Sequence, residues 1–318
     1  MRITNNMIIA NMIRNISNNQ ERENKYQTQL STGKKISVPS DDPVVAARAL
    51  KLRTDVSKIE QYKKNINDAQ SWLSATDEAL AAIGKVLQTA REKMVQAANG
   101  TNTVEETQAI CEEIKQLRTQ AIHLSNSTYS GRYIFSGFKT DQKLMDDDET
   151  SANFGKFAID VDTAAKQEKI FYEVGVGDNI NINVTGGDIF NSRDTGTANT
   201  GLAASGETSS MVKMFDDVIA NMEAGDFEQI SASLDTMDAE IQNVLRVRAD
   251  IGARQNRMDL TEDRMGNDLV NFTQSMSLNE DVDIAETIMN LKNEENVYQA
   301  SLAAGARVIQ QSLVDFLN

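Results

Sequence analysis

Beginning at Val45, an apolar residue returns at every seventh position: Leu52, Ile59, Ile66, Leu73, Leu80, Leu87 and Met94. Companions at Ala49, Val56, Tyr62, Ala69, Ile83, Ala90 and Ala97 widen the line into a stripe. A stripe that long calls for a helix packed along its whole length. From Pro43 to about Asn99 such a helix spans roughly 85 Å at 1.5 Å per residue, and Asn-Gly-Thr-Asn at 99–102 reads as the turn that closes it. A second stripe, Ile110, Ile114, Leu117, Ala121 and Leu124, predicts a helix antiparallel to the first. A third runs from Phe227 and Ile230 through Leu234, Met237, Ile241, Val244, Ile251, Met258, Met265, Leu269 and Phe272 to Met276 and predicts another long one. Three such stripes can bury one another as a rod-like bundle.

Composition agrees with that reading. Apolar residues make up 40% of the 318, enough for real cores, while aromatics are only 5%, which suits helices packed by aliphatic side chains. The net charge of −15 has the wrong sign for nucleic acid or for an anionic membrane surface, so neither is an expected partner. The first apolar run, Met7–Ala10, is far shorter than a signal-peptide core, and no run reaches the roughly 18 residues of a membrane span. A single cysteine, Cys111, excludes an intrachain disulfide and a multi-thiolate zinc site.

Between the second and third stripes the period changes from 3.6 to 2. Tyr133–Gly137 reads as a strand leading in; Phe157, Ile159 and Val161 alternate, as do Tyr172, Val174 and Val176, and then Ile180, Ile182 and Val184 before Thr-Gly-Gly-Asp at 185–188, which reads as a hairpin turn. The fold class expected is therefore mainly α with an inserted β-rich domain at 141–206, carried on a long helical bundle of 41–140 plus 207–283.

Two arms remain, residues 1–40 and 284–318. The C-terminal arm alternates threes and fours through Ile284, Ile288, Leu291, Glu295, Tyr298, Leu302, Gly305, Ile309, Ser312 and Phe316, with Glu295 and Ser312 as polar interruptions; the N-terminal arm answers with Ile9, Ile13, Ile16, Tyr26 and Leu30. Isolated helices of this size are marginal in water, so the arms need each other or copies of themselves, and these apolar residues are the candidate assembly interface. Both prolines of the chain fall at the arm's end. Gly33 can terminate the first helix, Pro39 prevents it from resuming, and Asp42 before Pro43 supplies an N-cap acceptor and a first-turn proline. The stretch 33–43 reads as a hinge between two helical segments.

Catalytic clusters are absent from the pattern. His123, the only histidine, rules out HExxH and any two-histidine metal site, and it reads as a helical side chain near the edge of a packed face. Cys111 reads as a small packed side chain, Trp72 as a packing residue beside Leu73, and Asp146–Glu149 as a solvated loop, since the glycine that an EF-hand loop needs is Ser151 here. No cofactor, metal or enzymatic activity is expected.

Four segments carry a resemblance. LSTGKKISVPSDDPVVAAR at 30–48, the opening MRITNNM, GRYIFSGFKT at 131–140 and DVDIAETIMNLKNEENVYQASLAAGARVIQQSLVDFL at 281–317 together resemble the bacterial flagellin superfamily, most of all its hook-filament junction branch. The resemblance implies a structural subunit secreted by the flagellar type III apparatus without a cleaved signal peptide, and assembled outside the cell at the junction of hook and filament. It also implies arms that pair as an inner coiled coil, long helices in the next shell and a β-rich domain pointing outward. The implied partners are copies of the chain itself, a hook-associated protein on the hook side, flagellin or a further junction protein on the filament side, and an export chaperone. A filament flagellin and an intracellular coiled-coil adaptor remain as alternative readings.

Overall fold

The computed structural model describes residues 5–99, 103–161, 168–191 and 204–314. Most of the expected turn at 99–102 and parts of the expected β-rich segment therefore lie outside the described residues. The elements in chain order are α1 (Asn5–Thr32), α2 (Pro43–Ala98), α3 (Val104–Ser125), β1 (Thr128–Tyr129), β2 (Arg132–Tyr133), β3 (Phe171–Gly175), β4 (Asp178–Asn181), α4 (Gly186–Phe190), α5 (Ser210–Ala224), α6 (Phe227–Glu280) and α7 (Ile284–Val314). The fold is mainly helical with a small sheet region, as the periodicities predict. The chain divides into two compact units: residues up to Glu60 with those from Gly266 onward, and Gln61–Met265.

The central unit holds the core. Ile66, Leu73, Leu80, Leu87 and Met94, the seven-residue series of α2, are all fully buried, together with Ala69, Ile83, Ala90 and Ala97. The matching series of α6, Ile230, Met237, Val244, Ile251, Met258 and Met265, is buried too. The two helices run antiparallel here, tied by Arg91 to Asp238 at 2.5 Å, Gln70 to Asp259 at 2.7 Å and Arg248 to Asp77 at 2.8 Å. Helix α3 returns beside α2, with Lys93 on Glu113 at 2.7 Å. Its start is a capping box, in which Thr103 accepts from the Glu106 N–H and Glu106 reaches back to the Thr103 N–H.

Sequence reading passed over α5, although Met211, Met214, Phe215, Val218 and Met222 keep helical spacing and are all buried. Ser209 caps its start and Gly225, at φ +70°, ends it. The expected hairpin turn at 185–188 is instead the start of the short helix α4. Gly186 sits so close to Leu144 that an added Cβ would lie 2.5 Å from its side chain, and its N–H donates to Phe135 C=O at 2.8 Å. That approach turns the chain inward where a hairpin would turn it back.

The period-2 segments divide into two kinds. Tyr172 to Ile180 form the true antiparallel hairpin β3–β4, clamped to the helices by Asn65 Nδ2 on Glu173 C=O at 2.8 Å and by Asp178 between Arg257 and Arg264. Phe157, Ile159 and Val161 are buried in alternation, and among the described residues the stretch shows isolated bridges, Met145 to Phe157 and Lys156 to Thr208, in place of a named strand. Strand β2 stops at Tyr133, and the rest of the expected strand buries Ile134 and Phe135 against the core, with the Phe135 ring edge-on to Phe190 at 5.8 Å. Alternation at 157–161 thus marks one-sided burial without a named strand, whereas Val176, which ends the alternating set of Tyr172 and Val174, is 90% exposed.

Leu80 is fully buried and Leu260 is 73% exposed, so the same truncation separates core from surface. Leu80→Ala is expected to cost about 2–5 kcal/mol and Leu260→Ala about 0.5 kcal/mol or less, both read from urea unfolding of the full chain.

Candidate assembly interface

The unit formed by the two chain ends is built differently. Among the described residues its buried apolar side chains are Ala46, Ala49 and Ile59, and no large side chain of either arm is fully buried. Helices α1 and α7 pair along their length in antiparallel register: Arg22 Nε lies 3.2 Å from Glu294 Oε2, Asn19 Nδ2 2.6 Å from Ser301 Oγ, and Gly305 packs against Met12 and Ile16. A Cβ on Gly305 would lie 3.0 Å from Met12 Sδ, so the missing side chain is what lets the helices come this close.

Burial divides the expected interface residues into two groups. Ile9, Ile16 and Tyr26 on α1, and Leu291 and Tyr298 on α7, are half-buried. Ile13, Leu30, Ile284, Ile288 and Leu302 are exposed, Ile13 by 58%, and Met7, Ile8, Met289 and Val297 join them. Ile309 lies on α7 with its side chain outside the described residues, and Phe316 lies outside them altogether. Gly305, a member of the C-terminal series, lies on the paired face, and so do Met12, Asn19 and Ser301, of which Asn19 and Ser301 were missed because they are polar. The arms therefore pair through one face and leave large apolar side chains exposed around the rest of both helices.

Where the arms meet the long helices, the chain is fastened by charge and backbone together. Gly33 adopts φ +70° and its N–H donates to Gln29 C=O at 2.8 Å, closing α1. Lys35 N–H donates to Glu280 C=O at 2.6 Å and Val282 N–H to Gly33 C=O at 3.1 Å, so the segments that follow α1 and precede α7 form an antiparallel bridge. Asp41 accepts from the N–H groups of Ser37 and Val38, which fixes the bend around Pro39 and holds its carboxyl below the ordinary range. Asp42 Oδ1 accepts from Val44 N–H at 2.9 Å and Val45 N–H at 3.0 Å, capping α2 as its position before Pro43 predicts. Asp283 does the same for α7 through the N–H groups of Ala285 and Glu286.

Glu280 is the centre of this junction. Its side chain is only 2% exposed, yet Arg53 grips it with two bonds of 2.7 Å and Lys34 Nζ lies at 3.3 Å, while Lys34 also reaches Asp281 Oδ1 at 2.6 Å. The Arg53 guanidinium holds the Glu280 carboxyl below the usual range despite its burial, and Lys34 lowers both Glu280 and Asp281. None of these residues was singled out from sequence, because their partners lie 227 and 247 positions away.

His123 is exposed, 3.9 Å from Asp147. Cys111 is buried, and burial pushes its thiol up, away from nucleophilic character. Trp72 packs edge-on against Tyr129 at 5.9 Å. Asp146 and Asp148 accept bonds from their own loop, and no cluster of metal-ligating side chains occurs among the described residues.

Since the folded chain holds Glu280 charged more firmly than the unfolded chain does, its contribution is present above the ordinary glutamate pKa and is lost as pH falls through the depressed folded-state value. Glu280→Gln is expected to weaken this unit by about 1–2 kcal/mol at neutral pH, Arg53 being largely solvated. The gap to wild type should close below about pH 4, as read from hydrogen exchange of α1 and α7 amides in the full chain.

A model of the bacterial flagellin N-terminal helical region matches residues 3–140, and a model of the bacterial flagellin C-terminal helical region matches residues 234–317. Flagellar hook-associated protein 3 of Escherichia coli K12 is 31% identical over 96% of this chain and 96% of that protein. The flagellin of Bacillus subtilis 168 is 29% identical over 98% of this chain and 97% of its own length. Among solved structures, a putative flagellar hook-associated protein from Vibrio parahaemolyticus covers 76% of this chain and 99% of its own at a TM-score of 0.61 and 24% identity. The flagellar junction protein FlgL from Legionella pneumophila covers 74% and 100% at a TM-score of 0.54 and 16% identity; both show the shared fold. With both helical regions present in order and a curated relative aligned from end to end, the chain belongs to the bacterial flagellin family and is a structural protein of the flagellum.

Proposed function

We propose that this chain is the subunit joining hook to filament, a structural part with no catalytic role, exported by the flagellar type III apparatus without a cleaved signal peptide and assembled outside the cell through its terminal helices. The observation that carries the reading is the number of large apolar side chains that α1 and α7 leave exposed. Met7, Ile8, Ile13, Ile284, Ile288, Met289 and Leu302 all lie in the open on the two arms, and packing against copies of the same chain would cover them.

Charge supports the same division of labour. Residues 1–60 and 266–318 contain 12 basic and 14 acidic side chains, whereas 61–265 contain 20 and 33. Near-neutral ends can crowd together, and the acidic centre resists sticking elsewhere. In this reading arms 1–40 and 284–318 form the inner layer, 41–140 with 207–283 the next, and 141–206 the outer surface. The further partners are a hook-associated protein on one side, flagellin or another junction protein on the other, and an export chaperone before assembly. The relatives named for the hook-associated and junction roles favour this over the filament itself, although a flagellin aligns over the whole chain as well.

Deleting the gene in frame and blotting the medium for flagellin separates the readings. Bare hooks with monomeric flagellin shed into the medium are expected, and a plasmid copy carrying Ile13→Asp and Ile288→Asp should fail to restore filaments. Bare hooks with no flagellin in the medium would make this chain the filament subunit, and normal filaments would contradict an assembly role.

A further inference from the structure

The stretch Phe154–Phe157 touches both α3 and the start of α5. Arg118 Cζ, from α3, lies 5.2 Å from the centre of the Phe154 ring, and Arg118 Nε lies 2.7 Å from Asp216 Oδ1 on α5. That arginine side chain is only 21% exposed. Gly155 adopts φ +77° and fills a niche between the same two helices: an added Cβ would lie 3.1 Å from Ile122 Cδ1 on α3 and 3.0 Å from Val212 Cγ1 on α5. Lys156 pairs with Thr208 in an isolated bridge. Phe157, itself buried, bonds to the backbone leading into α5: its N–H donates to Glu207 C=O at 2.9 Å, and its C=O accepts from Gly206 N–H at 2.8 Å. The acidic loop upstream closes on this foot, with Gly155 N–H donating to Asp146 C=O at 2.9 Å and Ser151 Oγ to Asp146 Oδ2 at 2.6 Å.

We propose that Phe154–Phe157 is a strap that locks the first turns of α5 onto α3, with Arg118 as its seat. Helix α5 has 15 residues, and helices this short are marginal in water and fray from their ends. Ser209 caps the first turn, but that bond is local and does not place the helix on its neighbour. The strap does: it pairs with the backbone entering α5, packs Gly155 against Val212, and covers the arginine that holds Asp216. Met211, Val212 and Phe215 stay buried under that restraint. Pulling the outer segment away from the bundle would then loosen α5 before α2 and α6, because none of these contacts involves the seam of the two long helices. The inference stands apart from the junction reading, since every contact lies within the central unit of one chain.

The test is hydrogen exchange of the full chain, read by mass spectrometry on peptides covering 146–156 and 213–218, with 87–94 and 237–244 as references for the long-helix seam. Gly155→Val puts a β-branched side chain at a left-handed backbone and cannot enter the niche; Phe154→Ala uncovers Arg118. Each should speed exchange in both 146–156 and 213–218 by about tenfold or more and leave the reference peptides at parent rates. Gly131→Val has the same φ of +77° with nothing within 4 Å, so it imposes the backbone strain alone and should leave all of these regions unchanged. If Gly155→Val fails to fold, Phe154→Ala supplies the result. Faster exchange in 146–156 with parent rates in 213–218 overturns the proposal, and so do parent rates in both regions. A rise of the same size in the reference peptides, or loss of folding in both strap variants, overturns it by assigning these residues to general stability.

Discussion

Helices of 56 and 54 residues are held by what covers them. A backbone hydrogen-bond ladder is close to neutral in water, so α2 and α6 exist because an apolar stripe on each is removed from solvent along the central unit. From Ile66 to Met94 the seven-residue series has no exposed member. The helices flanking it, the clamped hairpin and the buried turn at Gly186 are all additions to that one interface.

The terminal unit shows what happens when such a stripe lacks enough partners. Its arms bury Asn19 and the backbone of Gly305 where a core would bury leucine and phenylalanine, and several of their larger aliphatic side chains lie in the open. Charge and backbone bonds take over part of the work: Glu280, nearly out of water, is held by Arg53 and Lys34 at the point where both junction segments pass. Such a unit is specific in its pairing and short of apolar cover, a combination that suits an element completed by other copies of the chain.

Much of this was legible in the sequence. A period of seven over fifty residues has one physical solution, and the boundaries of α2 follow from Asp42, Pro43 and the turn residues after Ala98. The arms were legible as helices but not as surfaces: threes and fours describe Ile9, Ile13 and Ile16 equally well, and only the helix opposite decides which of them it meets. The alternation at 157–161 reported burial correctly while overstating the strand, because period 2 follows one-sided packing whether or not a ladder forms. Glu280 and Asn19 carried no local signal, since their partners are hundreds of residues distant in the chain.

The central claim is that the exposed faces of the arms are covered on assembly. Hydroxyl-radical footprinting of the purified chain and of isolated hook-filament structures measures this directly at Met7, Ile13, Ile288, Met289 and Leu302. The account predicts strong labelling of these residues in the free chain and deep protection in the assembled structure; equal labelling in both states would contradict it.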